Sequence, residues 1–251
     1  MLHHGDNLEV LTALAPELRG KVALCYLDPP FGTGRDFGAF DDRWEGGRAG
    51  LLAFLRPRLA LLHDLLAPDG SILVHLDHRV AHQVAVVLDD LFGPGDRDPV
   101  GGPGFRNELV WSYGLGGSSP RYYPRKHDTI LWYTRGASWH FDPPMIPARS
   151  VRMRGELKKQ PDVWDVPSIN NQAKERNGYP TQKPLALLEP LVRAHSRPGE
   201  LVLDPFCGSG TTLVAAVRAG RRALGVDRSE EALAIARKRL LAEGADISCP
   251  G

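Results

Sequence analysis

The chain is predicted to fold as an α/β domain, a mostly parallel sheet flanked by helices, and three observations lead there. Short apolar runs that stop at proline- or glycine-rich turns alternate with stretches of helical periodicity. Two of these runs end at Asp28 and at Asp204, and ligand crevices of open α/β sheets form at such strand ends. Finally, 251 residues, 42% hydrophobic and 24% charged, suffice for one such core without bulk disorder. Residues 1–251 are therefore read as a single domain.

The elements follow in order. Lys21-Val22-Ala23-Leu24-Cys25-Tyr26-Leu27 is an apolar run closed by Asp28-Pro29-Pro30, as expected of a buried parallel strand cut off by prolines. Leu51 to Leu66 repeats apolar residues at helical spacing and is stopped by Ala67-Pro68-Asp69-Gly70; Ser71 to Leu76 is then a second buried strand. A helix from about Arg79 to Phe92 breaks at Gly93-Pro94-Gly95. Glu108 to Tyr113 and Thr129 to Thr134 are β-branched and aromatic, which suits a hairpin-like edge of the sheet. Residues 136–178 show little periodicity, several prolines and many basic groups, and form a candidate inserted recognition region. Alternation then returns: a helix starting at Lys183-Pro184, a strand at Leu201-Val202-Leu203, a helix over Thr211 to Ala219, a strand over Arg222 to Val226, and a helix from Ser229, its N-cap, to Leu240.

Composition excludes several classes. No apolar run approaches the roughly 20 residues a membrane span needs, and the first residues lack a signal core, so a cytoplasmic protein without a membrane partner is expected. Cys25, Cys207 and Cys249 are too few and too far apart for a disulfide framework or a metal knuckle. His3-His4 and His75/His78 read as structural or solvated, and no metal site is expected. Net charge is +1, but residues 1–100 hold 9 basic and 15 acidic groups while residues 101–183 hold 13 and 7. A polyanion would be drawn to that middle third; a solvated surface with a chance excess is the alternative.

Chemistry is concentrated in two strand-end loops. Leu203-Asp204-Pro205-Phe206-Cys207-Gly208-Ser209-Gly210-Thr211-Thr212 joins a strand to a helix. Its glycines permit a tight turn and close approach to a ligand, and the next strand ends in Asp227, at the spacing where an acid grips ribose hydroxyls. No Gly-Lys-Ser/Thr follows, so a nucleoside-like ligand is favoured over a triphosphate. In Asp28-Pro29-Pro30-Phe31 a carboxylate is followed by two residues without N–H donors and by an aromatic ring. This acceptor-rich, donor-free set suits binding and polarising an amino group beside a stacked base. A turn that merely ends a strand is the bland alternative.

Asp28 to Phe31 resembles the target-amine motif, and Asp204 to Thr212 the cofactor motif, of the N6-adenine and N4-cytosine DNA amino-methyltransferases. The target motif precedes the cofactor motif, which resembles the beta arrangement of that family; related RNA and protein methyltransferases usually have the reverse order. Gly5-Asp6-Asn7-Leu8, Gly70 to Asp77 and Thr181-Gln182-Lys183-Pro184-Leu185 match as well. The resemblance implies a Rossmann-like S-adenosylmethionine-dependent methyltransferase fold with a seven-stranded sheet, a first strand at residues 1–4 and a circularly permuted motif order. It further implies that S-adenosyl-L-methionine is held by the loop of Asp204, Pro205, Phe206, Gly208, Ser209, Gly210, Thr211 and Thr212. Asp227 would hold its ribose, Asp6 and Asn7 would lie near its adenine, and Lys183 with Thr181 or Gln182 would reach its carboxylate. A surface lysine and a plain helix cap are the alternatives for Lys183 and for Asp6-Asn7.

The expected reaction is methyl transfer to adenine N6 in double-stranded DNA, with Asp28, Pro29, Pro30 and Phe31 as the catalytic set; an aspartate in the first motif position resembles the adenine-specific members. Transfer to cytosine N4 is the alternative, and a non-catalytic nucleic-acid-binding module an alternative of another class. The amine of a paired base is buried in the duplex, so the base must flip out, with Phe31 as its stacking partner. Arg121, Arg125, Lys126, Arg149, Arg152, Arg154, Lys158 and Lys159, interleaved with Tyr122, Tyr123 and Trp139, suit phosphate and base contacts. The glycine-rich stretch 32–50 suits a loop closing over DNA. Because the 136–178 insertion is short beside many recognition regions, a homodimer or a partner subunit would supply further contacts; a restriction endonuclease partner stays open. All of this requires the loops at Asp28 and Asp204 to converge on one crevice.

Overall fold

The structure, a computed structural model, describes residues 1–34, 44–98, 100–114, 118–148, 152, 154–170, 173 and 175–246. Arg149, Cys249 and residues 35–43 of the glycine-rich stretch lie outside these. Along the chain run β1 (Leu2–His4), α1 (Asn7–Leu18), β2 (Val22–Leu27), α2 (Gly47–Leu65), β3 (Leu66–Leu76), α3 (Ala81–Phe92), β4 (Gly104–Ser112) and β5 (His127–Thr134). Then follow β6 (Met145–Pro147), β7 (Leu157–Lys159), β8 (Val163–Asp165), α4 (Leu185–His195), β9 (Leu201–Asp204), α5 (Thr211–Arg218), β10 (Arg222–Asp227) and α6 (Glu230–Ala242).

The main sheet has the order β1-β10-β9-β2-β3-β5-β4-β8. The first five of these strands are mutually parallel, β5 runs antiparallel to both β3 and β4, and β8 is parallel to β4. Every residue of β2 is buried, as a central parallel strand covered on both faces requires. Alternate side chains serve opposite layers. Val22, Cys25, Leu27, Ile72, Val74 and Leu76 join the core under α1, α2 and α3, whereas Leu24, Tyr26, Leu73 and Val202 pack with apolar residues of α4 and α5. The expected elements form within a few residues of their anticipated ends, including β1 at the start and Ser229 as the cap of α6, its hydroxyl accepting from Ala232 N at 3.2 Å.

Three expectations are corrected. Among the described residues the sheet has eight strands rather than seven, because Val163–Asp165, inside the stretch expected to be loop, pairs with β4. For the same reason the β4/β5 pair does not form the sheet's outer edge. Ala67-Pro68-Asp69-Gly70 does not separate helix from strand but belongs to the start of β3, where the pairing with β2 shifts register between Val22 and Leu24. This bulge takes up Pro68, and a side chain at Gly70 would put its Cβ 2.7 Å from the Val22 carbonyl.

Candidate active site

Asp28 follows β2 directly, and Asp204 ends the neighbouring strand β9, with Cys25 and Leu203 paired side by side. From β2 the chain continues to β3 on one side, and from β9 to β10 on the other. The two loops therefore part at the point where strand order reverses, which opens a crevice between them. One cavity of about 510 Å³ is lined by Asp28, Pro29, Pro30 and Phe31 together with Asp6, Asn7, Thr181, Gln182, Lys183, Asp204 to Ser209, Thr211, Thr212 and Asp227. Gly210, the remaining loop residue, lies just behind it in the left-handed conformation that starts α5; a Cβ there would stand 2.8 Å from that of Ala236.

Several acids of this edge are used to shape it. Asp204 is buried, accepts from its own loop at Phe206 N (3.0 Å) and is hydrogen-bonded by Thr212. Burial is the main reason its carboxyl is pushed up to about 7. Asp227 accepts from Gly208 N at 2.7 Å and Ser229 N at 2.9 Å, which ties the glycine loop to the end of β10; burial outweighs these bonds and raises its pKa. From the α6 side, Arg239 Nη1 holds the Ser209 carbonyl at 2.7 Å and the Thr211 hydroxyl at 3.0 Å.

The start of the chain is pinned to the same loop. Asp6 caps α1 through Leu8 N at 2.8 Å and Glu9 N at 3.4 Å, and Asn7 donates to the Pro205 carbonyl at 2.7 Å. Arg58, from the buried face of α2, donates to Asn7 Oδ1 at 2.6 Å and to both Asp6 oxygens at 2.7 and 2.9 Å. Burial alone would raise the Asp6 pKa, but the bond from Leu8 and the charges of Arg58 and Arg228 bring it below the usual value. Arg58 belongs to none of the sequence motifs. Its signal was present: an arginine sits within the apolar stripe of Leu51, Leu55, Leu59 and Leu62, where it needs a partner.

Around Asp28 the surroundings are aromatic and cationic. Lys183 Nζ donates to Asp28 Oδ2 and lies 5.5 Å from the centroid of the Phe31 ring. Phe31 stacks on His75 at 6.1 Å and 26°. His75 is fully buried, bonded to the Tyr26 hydroxyl at 2.7 Å and to Asp128 Oδ2 at 3.2 Å. Gln182 is engaged by its own loop, through Asn177 N and the Glu175 carbonyl. Trp44, Phe54 and Phe206 form an aromatic wall of the cavity, and Tyr179 faces it across Gly208. Tyr179 carried no signal in the sequence.

The basic residues separate into two groups. Arg121, Arg125 and Lys126 lie in the segment between β4 and β5, which the pairing of Leu76 with Thr129 and of Ser112 with His127 puts at the same sheet edge as Asp28. Tyr122 carries Arg125 over its ring at 4.4 Å, and Tyr123 is 94% exposed. Arg152, Arg154, Lys158 and Lys159 belong instead to the β6/β7 hairpin. The chain enters this hairpin past Asp142, whose N–H donates to the Ala194 carbonyl near the C-terminal end of the 11-residue α4, roughly 16 Å along that helix from its start at 1.5 Å per residue. Trp139 does not join either group: it packs against Trp132 beneath the Arg106 guanidinium, 3.7 Å away.

A family model described as DNA methylase matches residues 22–238. Type II methyltransferase M.HpaI of Haemophilus parainfluenzae is 30% identical over 227 residues, 88% of this chain and 69% of the relative. DNA adenine methyltransferase YhdJ of Escherichia coli K12 is 27% identical over 94% of this chain and 81% of its own. The crystal structure of TTHA0409 from Thermus thermophilus, complexed with S-adenosyl-L-methionine, superimposes with a TM-score of 0.67 at 25% identity, covering 98% of this chain and 95% of that one.

Proposed function

Starting from the fact that the chain belongs to the DNA methylase family, and is thereby an S-adenosylmethionine-dependent DNA amino-methyltransferase, we propose that it methylates the N6 amine of adenine in double-stranded DNA, with Asp28 as the acceptor for that amine. The observation that carries this is the shared cavity: the acceptor-rich loop after β2 and the glycine loop after β9 open into the same space. The residues present fit the cofactor. A Cβ on Gly208 would approach Tyr179 Cε1 to 3.2 Å, so the bare backbone leaves the slot beside that ring open. In this reading Asp227 would hold the ribose, the Phe206 and Tyr179 walls the adenine, and Lys183 and Thr181 the carboxylate, all of them lining the one cavity. When bound, the cofactor supplies an electrophilic methyl group on a sulfonium.

An aromatic amine is a poor nucleophile because its lone pair is delocalised into the ring. Asp28 accepts one N–H, and the carbonyls at Asp28 and Pro29 offer the second acceptor, with no N–H on Pro29 or Pro30 to oppose them. These acceptors draw the nitrogen towards tetrahedral geometry and stabilise the positive charge that grows on it. Phe31, backed by His75, provides the stacking face for the extruded base. Adenine is favoured over cytosine by the aspartate at position 28 and by the relative named for adenine methylation. Arg121, Arg125 and Lys126 are assigned to phosphates beside the flipped base, and the β6/β7 hairpin in 136–178 to more distant duplex contacts. A second copy or an endonuclease subunit would extend that footprint.

Modification-sensitive sequencing of plasmid DNA from cells expressing the chain tests the proposal. N6-methyladenine in a fixed sequence context is the expected product; N4-methylcytosine would move the assignment to the other base.

A further inference from the structure

Lys183 stands where the proposed chemistry needs the target amine. Its ammonium donates to the Asp28 carboxylate and lies over the Phe31 ring, and only 13% and 18% of the Lys183 and Asp28 side chains are exposed. An amine donor on Asp28 beside Phe31 makes the two contacts assigned above to the exocyclic nitrogen of a flipped base. If the ammonium stayed there during the reaction, its charge would oppose the positive charge developing on the attacked nitrogen. Yet Lys183 also lines the cavity together with Gly208 and Asp227, within reach of a second anion.

We propose that Lys183 is a positioning residue shared between two carboxylates: that of Asp28 in the cofactor-free protein, and the amino-acid carboxylate of S-adenosyl-L-methionine in the loaded one. Asp28 is then released to the target amine only when Lys183 has moved to the second carboxylate, so the cofactor loads before the base. This inference rests on the methyl-transfer reading and adds an order of binding to it. The exchange is favourable because an ammonium taken out of water must keep an anionic partner, and it has one at each end of the move.

Calorimetric titrations with S-adenosylhomocysteine and with 5′-methylthioadenosine, which lacks the amino-acid carboxylate, test the sharing directly. Asp28→Asn removes the competitor for Lys183, so S-adenosylhomocysteine is expected to bind about tenfold more tightly, while 5′-methylthioadenosine binds as before. In Lys183→Met, S-adenosylhomocysteine binding weakens by about tenfold, and adding Asp28→Asn changes nothing further. Unchanged S-adenosylhomocysteine affinity in Asp28→Asn would overturn the proposal. So would a gain that persists in the Lys183→Met background, since that would be simple repulsion between two carboxylates. If neither ligand binds the folded wild-type protein, the methyl-transfer reading fails first and the inference falls with it.

Discussion

Asn7 donates its side-chain amide to the carbonyl of Pro205, 198 residues further along the chain, at 2.7 Å. Through this bond the first helix holds the glycine loop in place, and Arg58 holds Asn7 in turn. Arg58→Met would leave Asp6 with the exposed Arg228 as its remaining ion partner among the described residues and Asn7 Oδ1 without its guanidinium donor. The expected loss is about 3 kcal/mol of unfolding free energy, measured by urea denaturation, with weaker binding of S-adenosylhomocysteine in the folded fraction. A variant as stable as the wild type would show that this cluster does not hold the loop.

Asp204 makes stability depend on pH in a direction opposite to most carboxylates. Burial raises its folded pKa to about 7, so the folded state binds a proton more readily than the unfolded chain. The stabilisation is present below the unfolded value of about 4 and is lost as pH rises towards 7. Asp6 and Asp128 have lowered pKa values and act in the reverse sense, losing stability as pH falls through their folded values, below the ordinary carboxylate range. Denaturation of wild type and Asp204→Asn at a series of pH values separates the two windows. The wild type is expected to lose on the order of a few kcal/mol relative to the variant between pH 4 and 7; parallel curves would contradict the assignment.

The two basic groups are expected to differ in what they do to DNA. Replacing Arg121, Arg125 and Lys126 by alanine should weaken duplex binding and flatten its salt dependence by roughly 0.9 in log-log slope for each phosphate no longer neutralised. Cofactor affinity should stay unchanged. Lys158→Ala/Lys159→Ala, on the hairpin, should lower duplex affinity while sparing the flipping signal of a 2-aminopurine probe at the target base. Fluorescence anisotropy over a salt series checks both; an equal loss of the flipping signal in the two variants would sink the division.

A side chain at Gly208 would narrow the slot beside Tyr179. With φ at 49° and 3.2 Å between the added Cβ and the ring, Gly208→Ala is expected to lower stability by about 1 kcal/mol and, in the folded protein, to reduce S-adenosylhomocysteine affinity at least about tenfold. Tyr179→Ala in the same background should restore space but lose the ring contact. Calorimetry on the two variants reads this out, and wild-type affinity in Gly208→Ala would place the ligand elsewhere in the cavity.

The parts legible in the sequence were those written in contiguous residues. Leu24 to Leu27 is apolar and ends in Asp28-Pro29-Pro30; Leu203-Asp204 runs into a glycine turn; both patterns state strand, stop and crevice within a short run of residues. What stayed hidden depends on distant partners. Lys183 meets Asp28 across 155 residues, and no local pattern reports that. Val163–Asp165 is too short for a period of two to register, and becomes a strand because the edge of β4 is there to receive it. The Leu66–Gly70 stretch carries true turn residues, yet the bulge against Val22 absorbs them into β3. Trp139 has the composition of a base-stacking residue, but Arg106 and Trp132 claim it.

The most direct measurement pairs two readouts on Asp28→Ala. Purified wild-type protein, given tritiated S-adenosyl-L-methionine and duplex DNA, is expected to label the DNA, with N6-methyladenine as the labelled nucleoside. Asp28→Ala should lose at least about a hundredfold in methyl transfer while binding S-adenosylhomocysteine no more weakly than the wild type. Methylation that survives the loss of the Asp28 carboxylate would contradict the account at its centre, because the slot after β2 would then not be what holds the reacting nitrogen.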